Sequence, residues 1–67
     1  MVIRYTLFMV LKILKAKEVI ALIGLSRVTI WRLERLGQFP RRVLISPRRV
    51  GWFESEIMEW LLSRPRV

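Results

Sequence analysis

Only three residues, Gly24-Leu25-Ser26, separate two amphipathic stretches between Ala16 and Leu36, and no other feature restricts the fold so severely. In the first stretch Val19, Leu22 and Ile23 fall on one face while Lys17, Glu18 and Ala21 face outward, the spacing of a half-buried helix from Ala16 to Ile23. Gly24 ends that helix, and Ser26 is a strong N-cap for the next. The second helix is expected from about Arg27 to Leu36, stopped by Gly37, with Pro40 preventing its resumption. Helices joined this closely must cross sharply. Ile30 and Leu33 mark the inner face of the second, whereas Arg27, Val28, Trp31, Arg32 and Arg35 occupy the opposite arc.

Two short runs follow, Arg42 to Ser46 and Val50 to Phe53, rich in β-branched and aromatic residues and joined by Pro47-Arg48-Arg49, which reads as a β-hairpin. From Glu54 to Ser63 a helical stripe returns with Ile57, Trp60 and Leu61, acids cluster in its first turn, and Pro65 ends it. Trp52, Phe53, Ile57, Trp60 and Leu61 are assigned to the core. Helix, tight turn, helix, hairpin, helix is the order of a winged helix-turn-helix: mainly α with a small β-hairpin, the second helix suited to a major groove and the hairpin to the adjoining backbone or minor groove. That domain is expected over 15–67. Residues 1–14 are an apolar extension, as a strand or without order, with a dimer contact or an upstream start before Met9 as its alternatives. The extension is too short to span a bilayer, lacks a small-residue cleavage site and is interrupted by Lys12, Lys15 and Lys17, so a cytoplasmic, nucleoid-associated location is expected.

A chain of 67 residues without Cys or His can build neither a disulfide nor a zinc site, so apolar packing must hold it together. Asp and Asn are absent too, which removes most groups that act as nucleophile, general base or metal ligand. Glu54, Glu56 and Glu59 could form a paired-carboxylate site, but acids at the start of a helix are explained by its dipole. Neither an enzyme nor a cofactor is expected.

Thirteen Lys and Arg against five Glu give a net charge of +8, and ten of the thirteen are Arg, the residue that grips phosphate and guanine edges in a planar fork. Between Arg27 and Arg49 there are seven Arg and a single acid, Glu34, so six of the eight net charges fall on the second helix, the loop after it and the hairpin. The candidate DNA-binding residues are therefore Ser26, Arg27, Val28, Thr29, Trp31, Arg32 and Arg35, with Arg41 and Arg42 of the loop and Arg48 and Arg49 of the hairpin. Plainer roles compete. Arg27, Arg32 and Arg35 could be a solvated face, although acids at i+4 would then be usual. Trp31 could be a core residue, and Arg48 and Arg49 a charged turn that discourages edge pairing. Ser26 and Thr29 serve the helix start, which is also where a helix meets phosphate.

The residues Lys17-Glu18-Val19, Gly24-Leu25-Ser26-Arg27, Thr29-Ile30-Trp31-Arg32, Gly37-Gln38-Phe39-Pro40, Val50-Gly51-Trp52, Ser55-Glu56-Ile57 and Trp60 occur together in an order that resembles the AlpA family of prophage transcriptional regulators and excisionases, over roughly residues 14 to 63. The resemblance implies a MerR-like winged helix, non-enzymatic, that binds DNA near attachment sites or promoters. It implies a recognition helix carrying Arg27, Val28, Thr29, Trp31, Arg32 and Arg35 and a wing carrying Arg48 and Arg49. Double-stranded DNA is the implied partner, with an integrase or recombinase or RNA polymerase beside it and self-association on repeated sites. A protein-interaction module that sequesters a regulator or recombinase is the alternative, and membrane-surface binding through the N-terminus a third. The apolar extension and Lys15, a poor N-cap, depart from the family pattern.

Overall fold

An ammonium group donates hydrogen bonds and accepts none, so Lys15 cannot cap a helix with its side chain. Glu18 compensates: its Oε1 accepts the Lys15 backbone N–H at 2.8 Å and starts helix α1 (Ala16–Ile23). In the computed structural model, which describes residues 12–67, α1 is followed by helix α2 (Arg27–Arg35). Strands β2 (Val43–Ser46) and β3 (Arg49–Phe53) come next, then helix α3 (Glu54–Leu62), and a two-residue strand β1 (Ile13–Leu14) precedes them all. Among the described residues the architecture is a small winged helix-like domain of three helices and a three-stranded antiparallel sheet in the order β1-β3-β2.

The break between α1 and α2 is built from local chemistry. Gly24 takes a left-handed φ of 73°, with its N–H donating to Ile20 O at 2.9 Å, and Ser26 is extended at φ −73°, ψ 160°. Ser26 Oγ accepts the Thr29 N–H at 3.2 Å and lies 2.9 Å from Thr29 Oγ1. At the other end of α2, Gln38 N–H reaches Leu33 O at 2.8 Å and Gly37 N–H reaches Glu34 O at 3.0 Å, the paired bonds of a Schellman exit that needs the left-handed Gly37, φ 72°.

The sheet is larger than the hairpin expected from sequence. Ile13 pairs with Phe53 and Leu14 with Trp52, so two residues that composition groups with the apolar extension form an edge strand, and Lys12 O accepts the first N–H of α3, from Glu54, at 2.9 Å. Lys12 also pairs with Glu54, Nζ to Oε2 at 3.6 Å. Gly51 permits this approach: a Cβ there would stand 2.5 Å from Ile13 Cγ2 and 2.9 Å from the Leu14 carbonyl oxygen. The hairpin turn is also tighter than the three residues expected, because Ser46 faces Arg49 across Pro47-Arg48, and Arg49 belongs to β3. Ile45 is the extra residue of a bulge between the Leu44 and Ser46 pairs. The expectations placed on residues 1–11 lie outside the described residues.

Every element except β2 encloses one apolar side chain: Leu14, Val19, Ile30, Trp52 and Ile57, joined by Phe39 from the loop after α2. Ala16, Ile20, Ile23, Leu25, Leu33 and Trp60 pack around them. On α1 this corrects the expected inner face. Ala16, Val19, Ile20 and Ile23 follow the i, i+3, i+4, i+7 stripe that meets β1 and β3, and Leu22, one step off that stripe, is exposed. No helix of the described residues is long and apolar enough to cross a membrane.

Candidate nucleic-acid interface

Ile30, buried, and Leu33, packed against the core, fix the rotation of α2 about its axis, and everything opposite them is presented outward. Arg27, Arg32 and Arg35 are exposed, as are Val28 and Trp31; Thr29 is half-buried and held by Ser26. Trp31 is 48% exposed, which removes the core alternative for it. Its ring carries the Arg35 guanidinium at 4.7 Å from the ring centroid, a cation–π distance one helical turn along.

The loop from Gly37 to Arg42 is anchored at four points, and its anchors decide which arginines remain available. Phe39 is buried, with its ring edge-on to Trp60 at 4.7 Å. The Trp60 indole donates to Gln38 O at 2.8 Å and the Trp52 indole to Pro40 O at 3.0 Å. Glu34 of α2, whose side chain is only 9% exposed, accepts the Arg42 backbone N–H on Oε2 at 2.9 Å and Arg42 Nε on Oε1 at 3.0 Å, with Nη2 on the same oxygen. The Arg42 guanidinium also lies 5.6 Å from the Trp52 ring centroid. Arg42, a candidate contact on charge alone, is thereby the partner of the only acid in the basic stretch. Its Nε and Nη2 are thus engaged by the carboxylate, which offsets its charge, while the side chain stays 40% exposed.

Trp31, Glu34, Arg35, Arg41 and Arg42 line one cleft of about 250 Å³, and Arg32 and Arg35 line another with the exposed Leu36. The structure thus brings Arg35 and Arg41, from helix and loop, to the rim of one depression with an exposed indole in it. Arg48, in the turn, and Arg49, opposite Ser46, are exposed on the hairpin and line neither cleft. Glu54 and Glu56, in the first turn of α3, fit the dipole reading of the acids.

Sequence reasoning did not find the Glu34–Arg42 clamp or the anchoring roles of Trp52 and Trp60. A signal existed for both. One carboxylate among seven guanidinium groups invites a specific partner, and an indole N–H in a core needs an acceptor.

Residues 12–65 match the family model of the prophage CP4-57 regulatory protein (AlpA). The chain belongs to the AlpA family. Among its relatives is ORF88 of Enterobacteria phage P4, a protein uncharacterized itself, at 42% identity over 53 residues, 79% of this chain and 60% of the phage protein. Another is the DNA-binding transcriptional activator AlpA of Escherichia coli (strain K12), at 35% identity over 62 residues, 84% of this chain and 89% of that protein. The match thus spans less than two thirds of the phage P4 relative and most of the E. coli one. The matched region includes β1, whose residues Ile13 and Leu14 pair with β3.

Proposed function

We propose that this AlpA-family chain is a cytoplasmic, nucleoid-associated regulator that binds specific sequences in double-stranded DNA, with α2 in the major groove and the β2–β3 hairpin as wing. The carrying observation is the outward arc of α2, where Arg27, Arg32 and Arg35 stand exposed around Trp31 while the nearby acid, Glu34, is consumed by Arg42. A face built for solubility would mix both signs; one with its acid tied down and its arginines free is suited to a polyanion. The E. coli relative, a DNA-binding transcriptional activator, supports the same reading. On it, Arg41, Arg48 and Arg49 track phosphates, Ser26 and Thr29 place the N-terminus of α2 against one, and the arc of α2 reads bases.

Within that function the chain acts as a prophage excisionase or as a transcription activator, and the partners differ accordingly. An excisionase binds repeated sites cooperatively and bends an attachment region beside an integrase; an activator protects one promoter and works through RNA polymerase. Footprinting over both regions with the full chain separates them. Protection of neither, at low salt and with folded protein, contradicts the proposal.

A further inference from the structure

The outward arc of α2 is not uniformly charged. Val28 and Trp31 are 57% and 48% exposed and lie among Arg27, Arg32 and Arg35 within an arc of about 140°, taking about 100° per residue. Phosphates offer oxygen only and give an apolar pair nothing to bury against. Along the major groove, the apolar feature of the base edges is the C5-methyl group of thymine. The placement of Arg35 adds a second constraint: its guanidinium rests 4.7 Å from the Trp31 ring centroid, so the cation and the apolar surface are held side by side as one unit. A guanidinium so held is suited to the O6/N7 edge of guanine, which it meets through two parallel hydrogen bonds.

Resting on the duplex-DNA reading above, we infer that Val28 and Trp31 form an apolar reader of thymine methyl groups and that Arg35, seated on Trp31, takes a neighbouring guanine. The specificity of the chain then resides in a thymine–guanine element read by one turn of α2. Arg27 and Arg32 flank that reader. Trp31 is accordingly a specificity-determining residue, and its contribution is separable from the charge that gives general affinity, because an indole carries no charge to lose.

The test uses the full chain and a duplex selected from a random-sequence pool. Replacing each thymine of the selected site by deoxyuridine removes only the methyl group and leaves pairing and charge unchanged. The wild-type protein should lose about four-fold in affinity for each methyl it buries, and Trp31→Ala, whatever its overall affinity, should bind thymine and deoxyuridine duplexes alike. Substituting 7-deazaguanine at the neighbouring guanine should weaken the wild type several-fold and leave Arg35→Ala unaffected. Thermal melting of each variant establishes that it is folded, and Val28→Ala supplies a second, milder probe of the same surface. Equal wild-type affinity for thymine and deoxyuridine duplexes, with random-duplex binding intact, overturns the reader and leaves the DNA reading standing. Absence of binding to any duplex overturns both.

Discussion

Arg41 and Arg42 are neighbours in sequence with opposite circumstances. Arg42 is held by Glu34 through its backbone and guanidinium and lies over Trp52, while Arg41, lining the same cleft with Trp31 and Arg35, makes no ion pair among the described residues. Arg42→Ala should therefore cost about 1 to 3 kcal/mol of stability, since it strips a largely buried carboxylate of its partner. Arg41→Ala should leave the melting temperature within a degree or two and lower DNA affinity uniformly across sequences. Melting curves and binding isotherms on both variants check the contrast, and equal destabilisation by the two would contradict it. Gly51 is a second residue whose role is steric rather than conformational. Gly51→Ala must push back the Leu14 carbonyl and the Ile13 side chain, and overpacking of this kind costs about 1 to 3 kcal/mol. In a domain of this size each 1 kcal/mol lowers the melting temperature by about 4 to 8 °C. A Gly51→Ala protein that melts with the wild type would show that β1 does not hold its place against β3.

At the scale of elements, α2 and the loop after it behave as one unit. The Schellman exit at Gly37, the indole bonds to Gln38 and Pro40 and the Glu34–Arg42 clamp all fix where the chain goes between α2 and the hairpin. Trp60→Phe keeps most of the apolar contact with Phe39 and removes the donor to Gln38 O, so it should loosen the loop before it unfolds the domain. Hydrogen exchange should rise at residues 37–42 while the Ile30 and Ile57 amides stay protected; uniform loss of protection would contradict a local anchor. Ser26→Ala removes the N-cap of α2 and should cost about 1 kcal/mol. These two changes mark the border of what sequence discloses. The start and stop of α2 were legible because Ser26, Gly37 and Pro40 act on the backbone within a few residues of themselves. The core positions Trp52 and Ile57 were legible from periodicity, and the exposed arc of α2 followed from Ile30 and Leu33. A strand was one alternative for residues 1–14, but the pairing that makes β1 was not legible, since Ile13 and Leu14 meet Phe53 and Trp52 only in the folded chain. Leu22 was misassigned because a helix as short as α1 leaves its inner stripe ambiguous until the sheet it meets is known. The Glu34–Arg42 clamp was hidden for a related reason: a charge count registers both ions but not that they pair.

For the whole molecule, a net charge of +8 on 67 residues sets the terms of any encounter with DNA. Six enclosed side chains form the core of the described residues, and a chain without cysteine has no disulfide to add, so a single substitution can exhaust the stability margin and every binding measurement on a variant needs its melting curve beside it. The central claim is that the exposed guanidinium groups of α2 and the hairpin bind duplex DNA, and the dependence of affinity on salt tests it most directly. With roughly 4 to 6 phosphates neutralised, the logarithm of the binding constant should fall against the logarithm of salt with a slope of about −4 to −5. For a folded Arg27→Gln, Arg32→Gln, Arg35→Gln variant the affinity should drop and the slope become shallower. A flat salt response in the wild type, or a triple variant that binds with unchanged affinity and slope, would contradict the account.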